Sequence, residues 1–594
     1  MCNKKKYVLY ILLTLSIAYS QSVPEKWLTY YEKSDFKKTP RYDETMQYCR
    51  ELEKASPWIK VTSFGKSLQG RDLPLVIASS EKTFDAKKSA TSKKATILIQ
   101  NGIHSGEIDG KDACLMLLRD IAITKTKAAL LDHVNLLIIP IFNVDGHERF
   151  GKYNRINQNG PEEMGWRVNA QNLNLNRDYM KADSPEMQAW LKMYNAWLPD
   201  FFVDCHVTDG ADFQHIVTYS IETREMIAEP VRTWVNDSYI PALESRMKEL
   251  GEDIIPYVFF ADNKEPMKGL LEWPTPPRFS TAYTAIHNRP GLLIETHMLK
   301  DYKTRVEGTY KTLEVTIERV NEEYSMLKNA IKEADEQTKT ALENPYPLLF
   351  GVGKGSSTIT HFKGYKQTIE KSDVSGGDWI KYTNEPFEAD IPRLDSIYVT
   401  KTIEPPKAYI IPAPWSEVIE RLKYHGVKLE RMTASLDLEV EMYRCSNFKW
   451  QARPFEGRHP VTFSVEKFKE KRTFPAGSIV AWMHQRTARV LIHALEPEAP
   501  DAFVQWGFFD AVFEQKEYAE DYVMEKVARE ILAANPRLKE EFAYKVKTDS
   551  AFAASPDARL NFFYQRSPYW DKQLNVYPVA RLMWEVPIPT EAVK

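Results

Sequence analysis

The sequence predicts an α/β fold, a largely parallel or mixed sheet flanked by helices, followed by a β-rich accessory region with a helical C-terminal part. Three observations lead there. Short apolar runs alternate with helical patterns between residues 95 and 297, which is how buried strands joined by helices read in a sequence. Beyond Pro345 the texture changes to many short alternating runs separated by prolines. The 594 residues exceed what one hydrophobic core supports, so two to four domains are expected.

Taken in order, the first twenty residues stand apart. MCNKKK is basic, YVLYILLTLSIAYS is apolar, and Ala18-Tyr19-Ser20 is a small-x-small cleavage site. Together they predict a secretory signal peptide, too short for a spanning helix. Cys2 precedes the apolar stretch and is not placed like a lipoprotein cysteine. Residues 24–65 read as helical, with apolar residues at helical spacing in YDETMQYCRELEKASPWIK. Strand-like runs follow at ATILIQNG, VNLLIIPIF, DFFVDCH and GLLIETH, with DGKDACLMLLRDIAI as an intervening helix and a long helical pattern over 302–338. SIYVTKTI, KAYIIPA, LEVEMYRC, PVTFSV and ARVLIHAL read as the β-rich region, and 516–546 as helical. The expected division is a signal peptide at 1–20, a catalytic domain at 21–340, a β-rich accessory domain at 341–510, and a helical, aromatic segment at 511–594 that packs on the body.

Composition narrows the function. The formal charge is −3, and loss of residues 1–20 removes Lys4, Lys5 and Lys6 and takes it to −6. Nothing there favours nucleic acid or an anionic membrane. No other apolar run approaches the roughly 18 residues of a membrane span. Cys49, Cys114, Cys205 and Cys445 are too few and too scattered for a disulfide framework or a cysteine-rich zinc site. The chain is expected to be exported and to act in a periplasm or outside the cell, with a bacterial source favoured.

Ligands of open α/β sheets bind beyond the carboxyl ends of the strands. His104 and Glu107 follow ATILIQNG, His206 ends DFFVDCH, and Glu295 ends GLLIE. Two imidazoles and a carboxylate make a catalytic zinc shell with one position left for water, and a carboxylate off the metal can shuttle the water's proton; Glu295 is the candidate. Taken singly, each of these residues reads better as part of a polar loop or as a satisfied buried group. Within GWRVNAQNLNLNRDY, Asn176 and Arg177 set an amide beside a guanidinium, suited to clamping a carboxylate. Arg167 adds a cation able to hold an oxyanion. An Asn-rich surface loop with incidental arginines is the plainer reading of the same stretch. Asp145-Gly146 reads as turn chemistry, and alternation turns Cys205 to the face opposite His206.

GIHSGE, NVDGHERF, NLNRDY, the histidine of DCH and the glutamate of LLIET, in this order, resemble the zinc carboxypeptidase family typified by pancreatic carboxypeptidase A. The resemblance spans roughly residues 40–330. It implies a mixed sheet of eight strands sandwiched by helices, and one zinc ion held by His104, Glu107 and His206. It also implies Glu295 as general base, Arg167 steadying the carbonyl oxyanion, and Asn176 with Arg177 holding the terminal carboxylate. Two positions depart from the family pattern: Gly106 stands where an arginine is usual, and Asn174 where an aspartate supports the first histidine. Tyr283 is the nearest candidate for the tyrosine that caps the substrate. The Glu295-Thr-His297 sequence and the large C-terminal extension resemble a bacterial branch of the family; His297 could line the cleft or face the core.

The expected activity is therefore that of an exported metallocarboxypeptidase acting on peptides or proteins through a zinc-bound water. A zinc amidase or carboxypeptidase acting on cell-wall peptides is the alternative. An inactive peptidase fold that binds peptides or glycans is a third reading, disfavoured because all three ligands and the base are present.

Overall fold

A computed structural model describes residues 23–353, 355 and 358–593; the predicted signal peptide lies outside them. After a short N-terminal segment, helix Tyr42–Ala55 buries Met46, Cys49 and Leu52 along one face. It ends where Pro57 forces Ser56 into an extended conformation (φ −137°, ψ 128°). The helical reading of 24–65 therefore fails after Ala55, and its last residues belong to the first strand, β1, Ile59–Lys66.

β1 opens the main sheet, followed by β2 (Asp72–Ala78), β3 (Ala95–Asn101), β4 (Val134–Ile139), β5 (Phe201–Thr208), β6 (Val217–Ser220) and β7 (Ile255–Pro256). The short β8 (Leu270–Leu271) stays out of it, and β9 (Gly291–His297) completes it. The order is β1-β2-β4-β3-β5-β9-β6-β7, eight strands as expected. The central strands β4, β3, β5 and β9 run parallel, whereas β1 and β2 are antiparallel to their neighbours and β6 is antiparallel to β9 but parallel to β7. Every residue of β3 and β5 is buried, the mark of strands covered on both faces. Helices Asp109–Ala122 and Tyr302–Thr340 supply much of that cover.

Beyond the long helix, β10 (Tyr346–Val352) pairs with β13 (Ile397–Ile403). Between them β11 (Thr358–Lys371) and β12 (Asp378–Leu394) form a long two-stranded arm. The arm does not stand alone, because β12 adds to β8 in parallel, Arg393 opposite Leu270. A seven-stranded sheet follows, drawn from residues 408–482 and completed by Ala580–Leu582 and Thr590–Ala592. The C-terminal tail thus returns into the sheet of the accessory region, across the boundary expected at 510. ARVLIHAL, expected as a strand, is helix Ala488–Leu495, with all eight residues buried. A continuous apolar run lacks the alternation that separates strand from buried helix. One hydrophobic core runs from Tyr31 through the main sheet to Val579, so the two regions pack directly on each other.

Candidate active site

After β3 the chain turns through Gly102, whose φ of +67° suits glycine, and delivers His104 and Glu107 to the end of the sheet. β5 brings His206, and β9 sets Glu295 beside it, the two being direct partners in the parallel ladder. Cys205 points the other way, against Gly110 at the start of helix Asp109–Ala122, as alternation requires.

His104, Glu107 and His206 are all buried, and one ligand atom from each lies within 4.8 Å of the others. Both imidazoles aim Nδ1 at the same carboxylate, His104 at 3.1 Å from Oε1 and His206 at 2.9 Å from Oε2. Behind them, His104 Nε2 meets Asn174 Oδ1 at 3.0 Å, and His206 Nε2 lies 3.1 Å from Asp204 Oδ2. For His104, the oxygen acceptor on the outer nitrogen fixes the tautomer that leaves Nδ1 free to ligate. Asn174 thus fills the place of the family's aspartate with an amide oxygen.

The electrostatics suit a divalent cation. Burial pulls the His104 imidazole down to about 4, so it is a neutral donor at neutral pH. Glu107 stays well below the ordinary carboxylate range: burial opposes ionisation, but His104 and Arg155 outweigh it. Burial likewise works against a charged His206, yet Asp204 and Glu107 hold it well above its usual value. Two buried imidazoles and a buried carboxylate that together call for positive charge fit zinc, which takes nitrogen and oxygen ligands.

Arg155 and Arg167 both reach Glu107 Oε1, at 2.9 and 3.1 Å. Arg155 explains Gly106. A Cβ at residue 106 would collide with the Arg155 side chain and approach the Gly165 carbonyl oxygen to 2.9 Å, so a side chain such as arginine does not fit there.

A cleft of about 1280 Å³ opens over the triad, and Glu295, Arg167, Asn176 and Arg177 line it. Arg177 stacks on Phe279, 4.1 Å from the ring centroid, and donates to the Asn176 carbonyl at 2.8 Å. Burial and the nearby Arg167 lower its pKa to about 10, leaving it charged. The Asn176 side-chain oxygen is buried without a hydrogen-bond partner among the described residues, so the amide is open to a ligand. Arg167 lies nearer solvent, its side chain 42% exposed. Burial raises the Glu295 carboxyl above the ordinary carboxylate range.

Tyr283 does not belong to this constellation. It is fully buried in helix Ser280–Ala285, its hydroxyl bonded to His425 Nδ1 at 2.9 Å and its ring packed against Tyr179 and His287. The pattern FSTAY turns its tyrosine inward because the helix presents that face to the core. Sequence reasoning missed Tyr257, which does line the cleft, with its hydroxyl 3.2 Å from Thr208 Oγ1. The signal was a tyrosine directly after the Ile255-Pro256 strand, 38 positions before Glu295. His297 faces inward, accepting from the Phe213 amide at 3.1 Å. Asp145 is structural, holding Ser67, Gln69 and Arg71.

A family model described as zinc carboxypeptidase matches residues 45–204. A "Carboxypeptidase 2" from Trichophyton rubrum is 23% identical over 499 residues, covering 80% of this chain and 85% of the relative. The Trichophyton tonsurans "Carboxypeptidase 2" is 24% identical over 501 residues, with the same coverage of both chains. Alignments that long extend past residue 340, so these relatives share part of the C-terminal region; they are fungal, not bacterial. Among solved structures, a metallo-carboxypeptidase from Burkholderia cenocepacia overlaps 47% of this chain and 69% of its own, at 16% identity and a TM-score of 0.35. Among the described residues no helix is long and apolar enough to cross a membrane. The segment that supplies His104, Glu107 and the Asn176–Arg177 pair is the one the family model matches, and the chain is similar to zinc carboxypeptidases there and to fungal carboxypeptidases over 80% of its length.

Proposed function

We propose that the protein is an exported carboxypeptidase that removes C-terminal residues from peptides, using one zinc ion held by His104, Glu107 and His206. The observation that carries the reading is the presence of Asn176 and Arg177 in the same cleft as the three ligands and Glu295. A carboxylate clamp serves a chain end and is useless in mid-chain. Arg177, charged and braced on Phe279, pairs with the terminal carboxylate, and the side-chain NH2 of Asn176, which lines the same cleft, donates to it. A bound zinc supplies Lewis acidity, polarising the scissile carbonyl and acidifying the attacking water. Glu295 takes that water's proton and passes it to the leaving amine. Arg167, at the cleft and within reach of Glu107, turns to the carbonyl oxygen as negative charge develops there.

The test is mass spectrometry of a mixed peptide library incubated with zinc-loaded protein, beside a Glu295→Gln control. Loss of single C-terminal residues, abolished by chelator and by the substitution, is the expected result, and it reads out side-chain preference as well. Internal cleavage would strip Asn176 and Arg177 of the proposed role, and an intact library with zinc bound would overturn the reading for ordinary peptides.

A further inference from the structure

The cleft is not built by the main α/β region alone. Phe350, Thr360, His361, Arg393 and Ile397, all from beyond the long helix, line the same cavity as the three ligands. The arm β11–β12 reaches this place by packing on the two loops that border the site. A separate small core joins Phe362 and Ile391 of the arm to Phe213 in one loop and to Ile255, Val258 and Phe260 in the other. Phe362 is its hub, with ring centroids 5.3 Å from Phe260 and 6.1 Å from Phe213.

Hydrogen bonds fix the register of the contact. Gln214 donates its amide N–H to the Lys363 carbonyl at 2.8 Å, and its side chain to the carbonyls of Gly364 and Phe387 at 2.8 and 3.2 Å. The Lys363 amide donates to His215 Nε2 at 3.1 Å. Tyr257 sits between Ile255 and Val258, two members of the small core, so the position of its phenol depends on that core. Burial, and after it the negative charge of Glu295, raise the phenol's pKa; the hydroxyl is a neutral donor close to the proposed base.

We propose that the β11–β12 arm is a working part of the active site: with Phe362 as the positioning residue, it holds the loop of Tyr257, which takes the place of the family's substrate-capping tyrosine, so that the hydroxyl reaches the bound peptide beside Glu295. This rests on the peptidase reading above. It gives the accessory region a role in substrate positioning, and it makes the main α/β region an incomplete catalyst by itself.

A double-mutant cycle in the full chain tests it, with kcat and KM for a short peptide, zinc content and Tm measured for each variant. Tyr257→Phe is expected to lower kcat/KM about three- to tenfold, the size of one hydrogen bond. Phe362→Ala should cost a similar factor at unchanged zinc content, and Phe362→Leu should restore most of it. Placed on Tyr257→Phe, Phe362→Ala should then cost little more, because its effect runs through the missing hydroxyl. Gln214→Ala loosens the same contact without opening a cavity and should show the same non-additivity, which keeps the test alive if Phe362→Ala folds poorly. Losses that multiply in both cycles overturn the inference, as does a Tyr257→Phe variant with wild-type kinetics. A wild type that cleaves no peptide sinks the peptidase reading and the inference together, whereas active wild type with multiplying losses sinks the inference only.

Discussion

The two sides of the cleft are built differently. On the metal-holding side, every group is buried and braced from several directions: the Glu107 carboxylate meets two imidazoles, two guanidinium groups and the Val207 amide. Its parts come from strand ends and adjoining loops within residues 104–206. On the substrate-facing side, Arg167 is half in solvent, Tyr257 rides on a loop, and the far wall comes from residues 350–397. Geometry at the metal is held by short, redundant contacts, whereas geometry at the substrate depends on elements far apart in the chain. Substitutions on the first side should therefore act through metal affinity, and on the second through KM and kcat with the metal retained.

The largest effect belongs to the metal side. Glu107→Ala removes a ligand and leaves two arginines facing each other, so zinc and activity should both be lost. Asn174→Ala is the sharper test, because it leaves all three ligands while removing the oxygen that meets His104 Nε2 and also accepts from the Asn176 amide. Zinc affinity, measured by competition with a chelator, should fall about 10- to 100-fold, and Asn174→Asp should restore it. Unchanged affinity in Asn174→Ala would mean that His104 is oriented by packing alone.

The clamp comes next. Arg177→Ala should lower kcat/KM about 10- to 100-fold, mostly through KM, since a hydrogen-bonded charge is worth roughly 1.5–3 kcal/mol. Zinc content should not change. Peptides with an amidated C-terminus should be poor substrates for wild type and lose nothing further in the variant. Equal cleavage of free and amidated peptides by wild type would break the contrast drawn here, because the substrate side would then have no carboxylate specificity to lose.

What the sequence made legible follows the same division. His104, Glu107, His206 and Glu295 could be found because each ends an apolar run, and strand ends mark the ligand side of an α/β sheet. Four strands of the main sheet (β3, β4, β5 and β9), the inward face of Cys205 and the helix from 302 were readable for the same local reasons, whereas the count of eight came from the family resemblance. The rest was hidden by distance. Nothing near Tyr257 says that Phe362, more than a hundred residues later, holds its loop. Tyr283 was chosen for nearness to Glu295 in sequence, and a helical turn buried it. Local ambiguity accounts for 488–495, where an unbroken apolar run fits a buried strand or a buried helix equally. The packing of Arg155 over Gly106 was invisible too, since it depends on where two loops cross.

The smallest effect tests the bracing behind the metal side. Glu148 accepts from His147 Nδ1 at 2.9 Å, from the Tyr42 amide at 3.0 Å and from Arg41 at 2.9 Å, tying helix Tyr42–Ala55 to the loop after β4. Burial opposes its ionisation, but these partners pull the carboxyl down to about 2. A folded pKa below the unfolded value of roughly 4.3 gives stability that is complete above that value and is lost as pH falls toward 2. His147, lowered to about 4 by burial, adds its own loss as pH drops from about 6.5. Thermal unfolding of wild type and Glu148→Gln across pH 2–8 should show wild type ahead by about 1–2 °C near neutrality, with the gap closing toward pH 2. Because the substituted group touches no substrate, KM should not move at any pH. A gap that persists at pH 2 would assign the bracing to packing instead of charge, and a shift in KM would mean that the two sides of the cleft are coupled through this loop.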